Sequence, residues 1–336
     1  MRRREFLSTA MGAAMIHTGA FAGTLWGEET GMPAAASALP IEGRSLRERQ
    51  SRVGPMALGM VIAPSFADPE SAIARVKELR LSNCFLSLDD WIGKFSASAA
   101  QQLNALLDKY GVTPTSVEVV GPGRLVWDFA EGPSTIGLVP RATRAARIDA
   151  LKQASEFAKR LGVPRVQTHC GFIPENPADP LFKEAVDAIR EVAIYCAGNG
   201  QEFLMEIGQE TPTTVKRTIV EVDQPNLGVG FDTANLILYG KANPVDAVEI
   251  IGKYARSVHA KDGMWPTDPM RLGEEVLIGT GRVDFLKVFT ALDRFGYKGA
   301  ITIEREISGP QQIEDVRREK VYLERILAQV RANRAG

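Results

Sequence analysis

From Pro55 onward the chain alternates short apolar runs with longer stretches whose apolar positions recur every three or four residues. Eight runs read as strands: Ala57–Ile62, Cys84–Leu88, Ser116–Val120, Arg165–His169, Gln201–Glu206, Leu227–Asp232, Ser257–Lys261 and Ala300–Glu304. Helical patterns lie between them. One spans about Arg141 to Leu161, where Ile148, Leu151, Ala154, Ala158 and Leu161 form one stripe and Gly162 stands where helices commonly end. Pro69 sits near the start of the first helix, where its missing N–H costs nothing. Strict alternation predicts right-handed strand–helix–strand units around a parallel sheet. Eight such units close a (β/α)8 barrel. A doubly wound open sheet is the rival, but no Gly-x-Gly-x-x-Gly turn follows the first strand.

Two long connections break the pattern. Gly121 to Pro140 carries Gly-Pro-Gly, Gly132-Pro133 and Pro140 around Trp127 and Phe129. It follows the third strand and is expected to be a structureless lid or binding loop, with Trp127 placed to cover the C–H face of a sugar or to pack on a neighbouring loop. Gly263 to Gly281 is the second long loop.

Ahead of the barrel, Arg2-Arg3-Arg4-Glu5-Phe6-Leu7 resembles the bacterial twin-arginine export signal. The stretch from Ala10 to Trp26 is too polar for a membrane span, and no Cys offers a lipid anchor nearby. Cleavage after Ala22 or after Ala38 fits small-x-small sites, and the second is preferred. The expected organisation is a signal peptide and spacer over 1–38 and one barrel domain over 55–336. This resemblance implies the twin-arginine machinery as a partner and a periplasmic or secreted location.

Composition removes some classes. The 40 Lys+Arg against 41 Asp+Glu, with no basic run beyond the N-terminus, make nucleic acid a poor partner. Cys84, Cys170 and Cys196 are too few and too odd for a disulfide framework and read as small buried residues. Oligomeric state stays open, a homo-oligomer included.

The chemistry sits at strand ends. Glu206, Asp232, His259 and Glu304 close the fifth to eighth strand candidates, about one unit apart until the long loop intervenes. Barrel enzymes keep their sites at that face. Side chains alternate along a strand, so His259 shares a face with Ser257 and Lys261, and His169 with Gln167 and Arg165. Such polar tips are costly to bury unless something neutralises them together. Three carboxylates and one imidazole suit a single divalent ion, Mn²⁺ first, with Mg²⁺, Co²⁺ or Zn²⁺ also compatible.

Five segments carry a wider resemblance: Met205-Glu206, Gly230-Phe-Asp232, Val258-His-Ala-Lys-Asp262, Gly279-Thr-Gly-Arg-Val-Asp-Phe285, and Gly296-Tyr-Lys-Gly-Ala-Ile-Thr-Ile-Glu304. From about Pro55 the chain resembles the xylose isomerase-like TIM-barrel superfamily, which holds sugar isomerases, epimerases and inosose dehydratases. The resemblance implies the same four metal ligands, with Glu206 and Glu304 also exchanging the substrate proton. Two positions depart from the ketose epimerases. Asn235 stands where many carry His, and Gly263-Met264-Trp265 follows the seventh-strand motif in place of an Arg. His169, Lys261, Asn235 and Trp127 are the candidate substrate contacts.

The implied activity is metal-dependent isomerisation or epimerisation of a free sugar or keto-sugar through enediolate proton transfer. The alternative is a lyase, dehydratase or hydratase on a keto-inositol or 3-keto-glycoside. A non-catalytic metal-dependent sugar-binding protein is a third reading. The apurinic endonucleases of similar fold need many His ligands, and this chain has three His, one of them in the leader. Replacing Arg3 and Arg4 by Lys is expected to leave the protein in the cytoplasm. Fractionation of the double mutant checks this, and unchanged export would remove the twin-arginine reading.

Overall fold

The computed structural model describes residues 50, 51 and 53–335. The signal peptide and its twin arginines lie outside the described residues. Ten strands follow in chain order: β1 (Leu58–Ile62), β2 (Asn83–Ser87), β3 (Thr113–Glu118), β4 (Arg165–His169), β5 (Glu202–Glu206), β6 (Leu227–Asp232), β7 (Ala255–Ala260), β8 (Asp262–Gly263), β9 (Glu275–Val276) and β10 (Ile301–Ile303). Strands β1 to β7 and β10 pair in sequence, and β10 returns to β1, which closes an eight-stranded parallel barrel. Helices flank it. This is the TIM-barrel architecture the alternation predicts.

Helix starts are written plainly in the sequence. The helices Pro69–Glu78, Pro180–Gly198, Pro212–Val222 and Pro244–Ile251 each begin with Pro. In each, the preceding Asp68, Asp179, Thr211 or Asn243 side chain accepts a first-turn amide. Proline has no N–H to leave unsatisfied there, and the cap satisfies one of the others. The helix Arg141–Leu161 ends on Gly162, at φ 72°, a left-handed turn that glycine adopts without strain.

The third strand lies three residues earlier than the pattern suggests. Pro114 and Thr115 hid its beginning. Cys84 pairs with Pro114 and Phe85 with Ser116, so Thr115 is the extra residue of a bulge. Its hydroxyl donates to the Cys84 carbonyl at 3.1 Å. The second long loop is not plain coil either, because β8 and β9 form an antiparallel ribbon within it.

The 121–140 connection is also built rather than structureless. It contains the short helix Gly132–Thr135. Asp128 Oδ1 accepts the amides of Ala130, Glu131 and Gly132. Arg147, 1% exposed, donates to the carbonyls of Thr135 at 2.6 Å, Gly137 at 2.8 Å and Pro122 at 3.2 Å. Backbone carbonyls with few local partners are thus gathered by one guanidinium.

All three cysteines are buried and free. Among the described residues no helix is long and apolar enough to cross a membrane. The core lies between the barrel and its helices. Phe157, 1% exposed, packs on Phe95 at 4.9 Å and Trp91 at 5.6 Å between ring centroids. Phe157→Ala is expected to cost about 3–5 kcal/mol of stability, the usual range for emptying an aromatic core site. Urea unfolding checks it, and an unchanged midpoint would place Phe157 outside the cooperative core.

Candidate active site

Parallel pairing delivers the four strand-end residues to one place. Glu206 and Asp232 end β5 and β6, His259 lies in β7 beside Asp232 in register, and Glu304 follows β10. The Glu304 amide still donates to the Ala260 carbonyl at 3.0 Å, extending the ladder one residue past the strand. One ligand-type atom from each of the four lies within 4.8 Å of all the others. His259 Nδ1 stands 3.3 Å from Glu206 Oε1 and 3.4 Å from Glu304 Oε2. Phe85 packs edge-on against the imidazole, 4.4 Å between centroids, and limits its rotation.

Buried polar atoms ordinarily find hydrogen bonds. Here Asp232 Oδ2, Glu304 Oε2 and both His259 nitrogens have none. The other Asp232 oxygen is tied down, accepting the Ala234 and Asn235 amides at 2.7 and 2.6 Å. The unsatisfied atoms are therefore oriented ones. This donor set fits a divalent ion of hard or borderline character.

Lys261 is the cation of the cluster and is 1% exposed. Its Nζ lies 2.8 Å from Glu304 Oε2, 3.1 Å from Glu306 Oε1 and 3.3 Å from Asp232 Oδ2. His169 Nε2 is 3.3 Å from Glu206 Oε1, and its ring meets Trp127 edge-on at 4.7 Å. Asn235 Nδ2 donates to Glu206 Oε1 at 3.3 Å. All four candidate substrate contacts are thus drawn to the cluster, with Lys261 engaged by three carboxylates and Asn235 by one.

Several supporting residues escaped the sequence reading. Ser257 Oγ donates to Gln167 Oε1 at 2.5 Å, and Gln167 Nε2 donates to Glu206 Oε2 at 2.8 Å. Strand alternation put both residues inside the barrel but named no task for them. Asp262 accepts the amides of Gly263, Gly279 and Gly281, each at 2.9 Å, and of Val283 at 3.1 Å. This explains two of the quoted motifs together. A side chain at Gly281 would place its Cβ 2.2 Å from Asp262 Oδ1. Glu118, at the end of β3, was missed because Pro114 displaced the strand assignment.

The cluster's charges shift one another. Burial alone would lower the His259 pKa, but Glu206 and Glu304 raise it to about 10. Burial works against ionised Glu206, yet His169 and His259 hold it well below the usual carboxylate range. Glu304 is likewise held down against its burial, by Lys261 first and His259 next. Burial dominates at Asp232 and lifts it to about 7 despite Lys261.

A metal ligand must be the neutral imidazole, so binding displaces protons. With no ion bound, His259 stays protonated up to about pH 10. Mn²⁺ affinity is therefore expected to rise between about pH 6.5 and 8.5, with about one proton or more released per ion. Calorimetric titration in two buffers of different ionisation enthalpy measures both. Affinity independent of pH would remove His259 from the ligand set.

Comparison with known proteins agrees with this geometry. Residues 83–326 match the family described as xylose isomerase-like TIM barrel. A xylose isomerase domain protein from Planctomyces limnophilus is 30% identical, with a TM-score of 0.75 over 83% of this chain and 98% of that one. A xylose isomerase-like TIM-barrel protein from Mycobacterium smegmatis, solved in complex with magnesium, shares the fold at 17% identity, TM-score 0.63, over 83% of this chain and 98% of that one. The inosose dehydratase of Geobacillus thermodenitrificans is 26% identical over 151 residues, 38% of this chain and 49% of that protein. The chain spans about half the length of the curated relatives it matches. With barrel, strand-end cluster and motif match in agreement, the chain belongs to the xylose isomerase-like TIM-barrel family.

Proposed function

We propose that the protein is a divalent-metal-dependent isomerase or epimerase that moves a proton between carbons of a free sugar or keto-sugar. One observation carries the reading. Two buried carboxylates, Glu206 and Glu304, come from strands separated by β6 and β7 and meet within 3.4 Å of the same imidazole nitrogen. Glu206, Asp232, His259 and Glu304 would hold the ion, with Mn²⁺ favoured. When bound, it would draw charge from a carbonyl and its neighbouring hydroxyl and so acidify the adjacent C–H. Glu206 and Glu304 are placed to remove and return that proton. Gln167 steadies Glu206 through Oε2, and Lys261 steadies Glu304. Trp127, half-buried against His169, supplies an apolar face for the sugar's C–H groups.

An uncharged substrate is supported by the state of Lys261. Its ammonium is already shared among three carboxylates, which leaves it poorly disposed to hold a phosphate. Periplasmic location belongs to the same proposal, since free sugars are available there. Dehydration of a keto-inositol or 3-keto-glycoside is the second reading, favoured by the similarity to inosose dehydratase. Its first proton removal is the same, and loss of a neighbouring hydroxyl would replace reprotonation.

Metal-loaded protein incubated in D₂O with free and 3-keto sugars is expected to exchange substrate C–H for C–D by NMR. Retained carbon skeletons and hydroxyls indicate isomerisation, whereas a product lacking water indicates the lyase. Glu206→Gln and Glu304→Gln keep an acceptor oxygen but lose basicity. At saturating metal each is expected to slow exchange at least about a hundredfold, within the 10²–10⁴-fold worth of a positioned base. Near wild-type exchange in either variant would assign the proton to another group, His169 first.

A further inference from the structure

Beside the four-residue centre lies a second group of the same kind. Glu118 at the end of β3, His169 at the end of β4 and Glu206 at the end of β5 each offer a ligand-type atom within 4.8 Å of the others. They are 7%, 8% and 2% exposed. Glu118 Oε1 has no hydrogen-bond partner. Its neighbours in the group are another carboxylate and an imidazole, so nothing there neutralises it. Burial and then the nearby Glu206 charge disfavour its ionised form.

The charge balance points the same way. One divalent ion together with Lys261 offsets Glu206, Asp232 and Glu304, and Lys261 also serves Glu306. Nothing in that balance reaches Glu118. A buried carboxyl in this position needs a proton or a cation of its own.

We propose that the protein binds a second divalent cation between Glu118, His169 and Glu206, with Glu206 shared by both ions. The proposal rests on the reading of Glu206, Asp232, His259 and Glu304 as the first ion's site. Glu206 has the arrangement that sharing needs. Gln167 fixes Oε2 at 2.8 Å, while Oε1 lies 3.3 Å from His169 Nε2 and 3.3 Å from His259 Nδ1, one imidazole from each group. His169 can serve as a ligand through Nε2 if Nδ1 carries the proton. Gln209 permits this, with its amide oxygen 3.4 Å and its amide nitrogen 3.1 Å from Nδ1 as oriented, since the amide can turn to accept. Three protein ligands leave the remaining positions of a hard ion to water or to substrate oxygens. Paired ions of this kind act as a template that orients two oxygens of one substrate.

The test titrates metal-free full-length protein with Mn²⁺, counting bound ions by elemental analysis and recording EPR spectra. Wild type is expected to hold about two ions per chain with a spin-coupled spectrum, as neighbouring Mn²⁺ ions joined by one carboxylate require. Glu118→Gln and His169→Asn are expected to keep one ion with the spectrum of an isolated centre. Asp232→Asn is expected to lose the first ion. Saturation at one ion in wild type, kept in Glu118→Gln and lost in Asp232→Asn, overturns the second site and leaves the first standing. Glu118 and Glu206 would then share a proton. Two ions retained in folded Glu118→Gln also overturns it, and a wild type that binds none overturns both sites. Circular dichroism verifies each fold, and His169→Asn carries the comparison if Glu118→Gln does not fold.

Discussion

Too many carboxylates for the available positive charge, all out of water at one end of a barrel, is the constraint around which this protein is arranged. Glu118, Glu206 and Asp232 are buried and Glu304 nearly so, while Lys261 and two imidazoles are the facing cations. Burying an ionised group costs several kcal/mol even after relaxation. The cost is recovered only where each charge meets an opposite one in good geometry. Lys261 does this for Asp232, Glu304 and Glu306, which lets the site keep its shape before any ion is bound.

Holding such a cluster demands rigid surroundings, and the chain supplies them with side chains that bond backbone. Asp262 gathers four amides and pins the segment between β9 and the following helix. Arg147 gathers carbonyls of the 121–140 connection and so fixes the segment that places Trp127 on His169. Ser257 and Gln167 reach across the barrel interior to hold one oxygen of Glu206. None of these groups contributes to the apolar core, yet each restricts an atom that faces the site. Preorganisation of this sort separates a functioning constellation from a mere gathering of acids.

Much of this was legible because period and punctuation agreed. The strands β4 and β6 fall where their apolar runs end, and the helix Arg141–Leu161 has the bounds its stripe and Gly162 indicate. The first-shell acids could be read because each ends a strand, and strand ends in a parallel barrel face one rim. Glu118 could not be read, since the Pro114 bulge moved its strand and made Glu118 look like a mid-strand residue. The Asp262 cage was visible as a motif but not as a contact, because its partners lie up to 21 residues away in sequence. The long connections looked structureless because their order comes from Arg147 and Asp128 rather than from any repeating pattern.

The shifted acidities also bear on mechanism. Lys261 and His259 hold Glu304 ionised, and His169 and His259 do the same for Glu206. Carboxylates held this firmly are poor bases, and a C–H beside a carbonyl is a poor acid. Neither carboxylate matches such a proton on its own, and proton transfer is efficient only when donor and acceptor strengths approach each other. The mismatch can be closed from the substrate's side by a cation that withdraws charge from the carbonyl. The same interactions that keep two acids ionised inside a barrel thus make the proposed chemistry conditional on the ion, and they give Asp232 and His259, which move no proton, as large a part in it as the two glutamates.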